Sequence, residues 1–380
     1  MISIDNFNIQ SERYLSLDVL RGLTVALMIV VNTPGDWGNI YAPFKHSDWH
    51  GYTPTDWVFP AFLFVVGNAM SFSMGKLKSM NKHDFFKKVL KRTFIMFLIG
   101  LLLNAFPFVK YENGHYALID FNSLRLWGVL QRIAICYGMA SIMVYYIKES
   151  TLIIVSAAVL LLYWLILYFC GDTPDPYSLE TNAVRTLDLM YLEPKNMYRH
   201  YPVPFDPLGL LSTFPAVINV IAGYLAGVFI KKNGNTPGTV LKMGVMGIGF
   251  VLIAMVWSIF FPINKPLWTS TYVIVSIGYC LIFLSLLMYV IEIKSVKKWT
   301  YFFEVFGKNP LFIYVMAWIV ISLMTLIRLD DIPLKSIVYK NFFVNLLSPI
   351  NASLLFSMVY MLLMWLVGYV MDRKKIYVKL

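Results

Sequence analysis

About ten apolar runs, each near the twenty or so residues a helix needs to cross a hydrocarbon core, decide what this chain can fold into. They cover residues 15–31, 57–74, 89–106, 126–146, 152–169, 210–230, 240–261, 270–291, 310–327 and 352–371. Inside a bilayer each backbone N–H and C=O must be satisfied within its own segment, so runs of this length are helices. The fold class expected is all-α: a polytopic membrane helix bundle of about ten transmembrane helices, forming a single integral-membrane domain over 1–380. The shorter stretch 337–350 is broken by Lys340, Asn341, Asn345 and Pro349 and is expected to be interfacial or re-entrant. With 58% hydrophobic and only 14% charged residues, the chain cannot coat a soluble surface. A soluble enzyme, a disordered scaffold and a secreted disulfide module are excluded.

Lysine and arginine set the orientation. Lys76, Lys78, Lys82, Lys87, Lys88, Lys91 and Arg92 crowd the second connection. Lys148, then Lys231 and Lys232, then Lys294, Lys297 and Lys298 mark later even-numbered ones, and Arg373, Lys374, Lys375 and Lys379 the tail. Positive residues favour the cytoplasmic side, so both termini are expected there, and ten spans return the tail to that side. The net charge of +11 is then a topology signal, and no nucleic-acid partner is expected. The first run lacks a small-residue cleavage site and is expected to be retained. Residues 171–207, rich in Pro, Tyr and Asp, are expected to form an ordered external cap. Cys136, Cys170 and Cys280 lie in or at the end of apolar runs without a CxxC, so neither disulfides nor a thiolate metal site is expected.

Chemistry is expected first in the external connection 32–56, which holds Asn32, Asp36, His46, Asp48, His50 and Asp56 beside Trp37, Trp49, Tyr52 and Trp57. Histidine suits proton transfer near neutral pH. An interfacial aromatic belt with solvated polar groups accounts for the same composition. His46 and His50 are spaced i, i+4, but no third ligand accompanies them, so no metal is expected. Asp18 and Arg21 are three apart on one face of the first helix, an ion pair or a ligand site. Arg125 and Arg132 are seven apart and are expected to share a face at the external end of the fourth span. Polar breaks occur at 205–213, 261–270 and 306–310; Asn264, Lys265 and Trp268 could line the same mouth as His46. No P-loop, dinucleotide fingerprint, GxSxG or HExxH is present.

The runs SLDVLRGLTVALMIVVNTPGDW, FKHSDWHGYTPTDWVFPAFLFVVG, LRLWGVLQRIAICYG, FDPLGLLSTFPAVINVIAGYLAG and NKPLWTSTYV occur in this order. Together they resemble the transmembrane core of the heparan-alpha-glucosaminide N-acetyltransferase family and its bacterial relatives, from about residue 15 to 307. The resemblance implies transfer of acetyl from cytosolic acetyl-CoA to an amino sugar or glycan acceptor on the periplasmic side, by a homodimer in the lipid of a bacterial inner membrane. It matches the family's active-site histidine to His46 and its asparagine at the end of the first span to Asn32. Whether an acetyl-histidine forms or both substrates meet in one complex is left open.

Acyl transfer to an amine needs a base and donors for the developing oxyanion. His46 is the candidate base, or the nucleophile that accepts acetyl. Asn32 is the candidate for holding the carbonyl oxygen or orienting the thioester. Asp48 or Asp56 would fix the imidazole tautomer or hold the amino sugar. Trp37, Trp49 and Trp268 are candidates for stacking on a sugar ring, with Asn264 and Lys265 beside them. The phosphates of CoA require cations, and Arg21, Lys308 and Asn309 at the cytoplasmic mouth are the candidates, with Lys87 and Lys91 as others. Rival readings are an O-acetyltransferase of envelope glycan and an amino-sugar transporter; no symmetry between the two halves marks a transporter repeat.

Overall fold

The computed structural model describes residues 14–378. Lys379 of the basic tail lies outside the described residues. The chain opens with α1 (Leu15–Asn32), α2 (Pro54–Lys78) and α3 (Lys82–Ala105). After a β-hairpin of β1 (Val109–Glu112) and β2 (His115–Leu118) come α4 (Val129–Tyr146) and α5 (Glu149–Cys170). The insert carries α6 (Ala183–Leu189) and leads to α7 (Leu210–Asn233), α8 (Pro237–Trp257) and α9 (Ser270–Met288). Then follow α10 (Thr300–Lys308), α11 (Pro310–Leu326), a small hairpin of β3 (Arg328–Leu329) and β4 (Ile332–Pro333), α12 (Leu334–Tyr339) and α13 (Pro349–Arg373). The hairpin turn of β1–β2 is Asn113-Gly114 with φ of 53° and 80°, the left-handed pair that such turns require.

This is an all-α polytopic membrane bundle, and each expected run is helical. Eight helices among the described residues are long and apolar enough to cross a membrane. The pair α10–α11, bent by 82° at Asn309 ahead of Pro310, is long and apolar enough only when taken together, the form of a broken span or a re-entrant loop. The third expected span departs from the others: α3 is a helix of 24 residues, but Lys82, Lys87, Lys88, Lys91 and Arg92 fill its first half and lower its hydropathy. The stretch 337–350 holds only the end of α12, a short π turn and the first residues of α13, too little to span.

The bundle has two chemically different ends. At one, Ser16 meets Glu292, Lys231 meets the carbonyl of Ser71, Lys232 meets Glu149, and Lys308 meets Asp372. The basic connections gather there. At the other, Gly51 bonds to Ile263, Tyr163 to Leu267, Asn104 to Arg125 and Tyr41 to Asn351, which draws the α1–α2, α4 and α8–α9 loops together around His46.

Small residues let the central helices touch backbone to backbone, the usual source of helix association where apolar surface gains nothing from leaving lipid. A Cβ at Gly67 of α2 would lie 1.7 Å from the Val220 carbonyl oxygen of α7, and one at Gly223 would lie 1.8 Å from that of Phe64. Gly223→Ala must therefore part α2 from α7, an overpacking cost on the order of 1–3 kcal/mol. Gly249→Ala on α8 meets nothing within 4 Å. In detergent, the first substitution is expected to lower the thermal midpoint and the second to leave it in place. Equal midpoints would contradict this packing.

Candidate active site

The connection between α1 and α2 delivers His46 to the first turn of α2. That turn is closed by a capping box: the backbone N–H of Thr53 donates to Oδ2 of Asp56 at 3.0 Å. Asp56 is fully buried, and Oδ2 also accepts from the hydroxyls of Thr53 and Ser47 and the N–H of Ser47, at 3.0, 3.1 and 3.2 Å. Oδ1 lies 2.7 Å from His46 Nδ1 and 3.4 Å from Lys265 Nζ. A buried carboxylate at a helix N-terminus, ringed by N–H and O–H donors and two basic groups, is well matched to carry a negative charge. The backbone carbonyl of Asp56 faces Pro60 one turn on, which has no N–H to offer. The Tyr272 hydroxyl donates to that carbonyl at 2.7 Å instead, tying α9 to the same turn.

A carboxylate only accepts, so the 2.7 Å contact puts the proton of His46 on Nδ1 and leaves Nε2 as the basic nitrogen. Lys265 Nζ stands 3.0 Å from Nδ1 and 3.3 Å from Nε2. Burial first, and the Lys265 charge second, hold the imidazolium below its ordinary 6.5 against the pull of Asp56. Burial brings the Lys265 ammonium down from 10.5 to about 8, again opposed by Asp56. The cluster thus presents a neutral imidazole in one tautomer beside a cation that gives up its proton at modestly alkaline pH.

These groups open on a cavity of about 340 Å³. Its rim is polar, with Asn32, His46, Lys265 and Arg125; its deeper wall is apolar, with Met28, Ile29, Leu103, Leu130 and Ala317. The Asn32 amide nitrogen donates to the Met28 carbonyl at 2.8 Å, which turns the carboxamide along the cavity wall. Arg125 makes a two-pronged pair with the buried Asp206 at 2.6 and 2.8 Å, its guanidinium 4.6 Å from the centre of the Tyr198 ring. That pair fastens the end of the 171–207 insert to the strap before α4. Tyr198 and Tyr201 from the insert thereby join the cavity lining.

The residues expected at the site divide clearly. His46, Asn32, Asp56 and Lys265 converge on the cavity; Trp268 backs its wall but is 1% exposed, with Arg132, Phe59 and Tyr272 around its ring, so it offers no face on which a sugar could stack. Asp48 is exposed and does not line it. Trp37, 61% exposed, lines a neighbouring cleft with Tyr111, Arg328 and Lys335, to which Asn32 and Trp318 also belong. Trp49 instead packs on Tyr201 and Phe205 and donates to the Tyr177 carbonyl at 2.9 Å, holding the insert down. Asn264 is fully buried; its Oδ1 accepts the Leu267 N–H at 2.7 Å and its amide meets His50 at 3.3 Å, so it shapes the turn that presents Lys265. His50 is engaged there and not with His46.

Arg125 and Arg132 do not share a helix face. Gly128 is extended, with φ of −168°, and α4 starts only at Val129, so the seven-residue spacing is not helical throughout. Arg132 is buried under Trp268, 4.8 Å from its ring centre, and donates to the Gly209 carbonyl at 3.1 Å. At the opposite end Arg21 pairs with Asp18 at 3.3 Å and reaches the Gly307 carbonyl. Lys308 holds Asp372 at 2.9 Å, and Asn309 bonds both Ile376 and Val378 of the tail. Sequence reasoning missed Asn104, Gln131, Tyr198, Tyr201, Tyr314 and Trp318 as cavity residues. Asn104 and Gln131, polar groups at the ends of apolar runs, carried the only signal.

The family described as the catalytic part of heparan-alpha-glucosaminide N-acetyltransferase matches residues 13–243. The heparan-alpha-glucosaminide N-acetyltransferase of Mus musculus is 25% identical over 80% of this chain and 53% of its own length. That of Homo sapiens is 24% identical over 80% of this chain and 52% of its own. The chain thus spans about half the length of the curated relatives it matches. The matched region contains His46, Asp56 and Asn32, and the chain belongs to the heparan-alpha-glucosaminide N-acetyltransferase catalytic family.

Proposed function

We propose that this protein is an acetyltransferase that moves acetyl from acetyl-CoA to the amino group of a glucosamine-type sugar. The observation that carries this reading is the imidazole of His46, fixed by a buried carboxylate at 2.7 Å on the rim of a cavity that also holds Asn32. His46 Nε2 takes the proton as the amine nitrogen attacks the acyl carbon. Asp56 holds the imidazole in the working tautomer and steadies the imidazolium that forms. The Asn32 carboxamide, one N–H of which is held by the Met28 carbonyl, would donate its other N–H to the carbonyl oxygen as it gains charge. The apolar inner wall suits the thioester end of the donor.

The basic end of the bundle supports a cytoplasmic origin for the donor and a periplasmic acceptor, in a bacterial inner membrane. Arg21, Lys308 and Asn309 at that end are the proposed contacts for donor phosphates; Lys308 would exchange Asp372 for phosphate. The chain is proposed to work as a homodimer, as the family resemblance suggests.

With purified protein, labelled acetyl-CoA and glucosamine, label is expected on the sugar nitrogen. His46→Ala is expected to lose transfer, and a variant that keeps both folding and full transfer would remove His46 from the mechanism. Asp56→Asn is expected to lower kcat by roughly 10²–10⁴-fold, because the amide no longer demands a proton on Nδ1. Label appearing on a hydroxyl in a screen of N-acetylated sugars would favour O-acetylation. Followed by NMR in the unliganded protein, the His46 imidazole is expected to take up its proton below pH 6.5, since it is held neutral to lower pH than a free histidine. A midpoint at or above that value would show an imidazole unperturbed by Lys265 and burial.

A further inference from the structure

Lys265 stands where an idle cation would do harm. A positive charge 3.0 and 3.3 Å from the two nitrogens of a base weakens that base. Yet the turn that carries it is built with care. Asn264 N–H donates to the Thr269 hydroxyl at 3.0 Å, Thr269 N–H returns to the Asn264 carbonyl at 3.1 Å, and Trp268 N–H reaches the Lys265 carbonyl at 3.0 Å. Trp268 is held at φ of 53°, a left-handed conformation costly for a bulky residue. Its indole N–H is pinned on Asn219 at 3.1 Å. The result is an ammonium pressed between His46, Asp56 and the cavity.

We infer that Lys265 is the acid that protonates the departing sulfur, and that its contact with His46 closes the proton cycle. This rests on the acyl-transfer reading above. As the neutral amine attacks, the N–C bond forms and His46 Nε2 takes one proton from nitrogen. The C–S bond breaks with its electron pair going to sulfur, and Lys265 supplies the proton that makes the thiol. His46 is then imidazolium and Lys265 a neutral amine, 3.3 Å from Nε2. Nζ sits over the imidazole, nearly equidistant from its two nitrogens, and a swing of the lysine side chain into line with Nε2–H passes the proton from imidazolium to amine, so both groups regain their starting charge without exchange with solvent. An alkyl thiol titrates near about 8.5, so a lysine brought to about 8 is matched to it. The groups facing Lys265 are His46 and Asp56, with the Arg125–Asp206 pair, Tyr198 and Tyr201 around the same cavity.

The test compares two donors on the full chain with glucosamine as acceptor. One is acetyl-CoA; the other is S-(4-nitrophenyl) thioacetate, whose aryl thiolate leaves without protonation. Lys265→Met is expected to lose about 100-fold in kcat with acetyl-CoA and roughly ten times less with the aryl thioester. Lys265→Arg keeps the charge but holds its proton, so it is expected to follow Lys265→Met. Equal losses on both donors would overturn the proposal while leaving the acyl-transfer reading intact. No transfer by the unmutated protein from either donor would overturn both. Apart from turnover, competitive labelling of Lys265 with isotopic acetic anhydride, read by mass spectrometry, should reach its midpoint near pH 8. A midpoint near about 10.4, the ordinary lysine value, would remove the acid from the cycle.

Discussion

One buried carboxylate holds this end of the protein together. Asp56 closes the first turn of α2, collects Ser47 and Thr53, fixes His46 and faces Lys265 from the α8–α9 turn. Three separate stretches of chain are satisfied by one side chain, so none can move without exposing an unpaired charge in a dry interior. The absence of an N–H on Pro60 extends the arrangement: the carbonyl of Asp56 takes its hydrogen bond from Tyr272, and α9 is fastened to the same point. Local helix capping and the orientation of the His46 imidazole are thus a single structural fact. The helix could not start elsewhere and keep its histidine.

Much of the architecture was legible because the bilayer is a strict solvent. A run of twenty apolar residues has one stable backbone there, and the ten runs are ten helices. Where the reading faltered, a local charge or a glycine intervened. The cationic first half of α3 makes it a longer and more polar helix than its apolar run implied. Gly128 sets the start of α4 past Arg125, which separates two arginines that a continuous helix would have aligned.

The site was half legible. His46 and Asn32 could be picked out by resemblance, and Asp56 by proximity in the same loop. Asp56, not Asp48, turns inward because it stands three residues after the N-cap Thr53, a local capping signal in Thr53-Pro54-Thr55-Asp56 that composition alone does not weigh. Asn264 and Lys265 are neighbours in sequence with opposite fates, one consumed in forming a turn and the other presented by it. Trp49 and Trp268 have equal claims as sugar platforms by composition, but one is a brace for the insert and the other is buried against Arg132. The tyrosines of the insert and the aromatic residues of α11 arrive through tertiary packing, over separations no pattern in the chain records.

The Arg125–Asp206 pair has an evolutionary consequence. The ion pair that anchors the insert also carries the ring of Tyr198 over its guanidinium, and Tyr198 and Tyr201 form part of the cavity wall. Stability of the insert and the shape of the cavity wall are therefore set by the same few atoms. A lineage cannot widen the mouth by trimming Tyr198 without uncovering the cation beneath it, nor replace the insert wholesale without stranding Arg125. A wider cavity would be reached more cheaply on the α11 side, where Tyr314 and Trp318 border it and no ion pair depends on them.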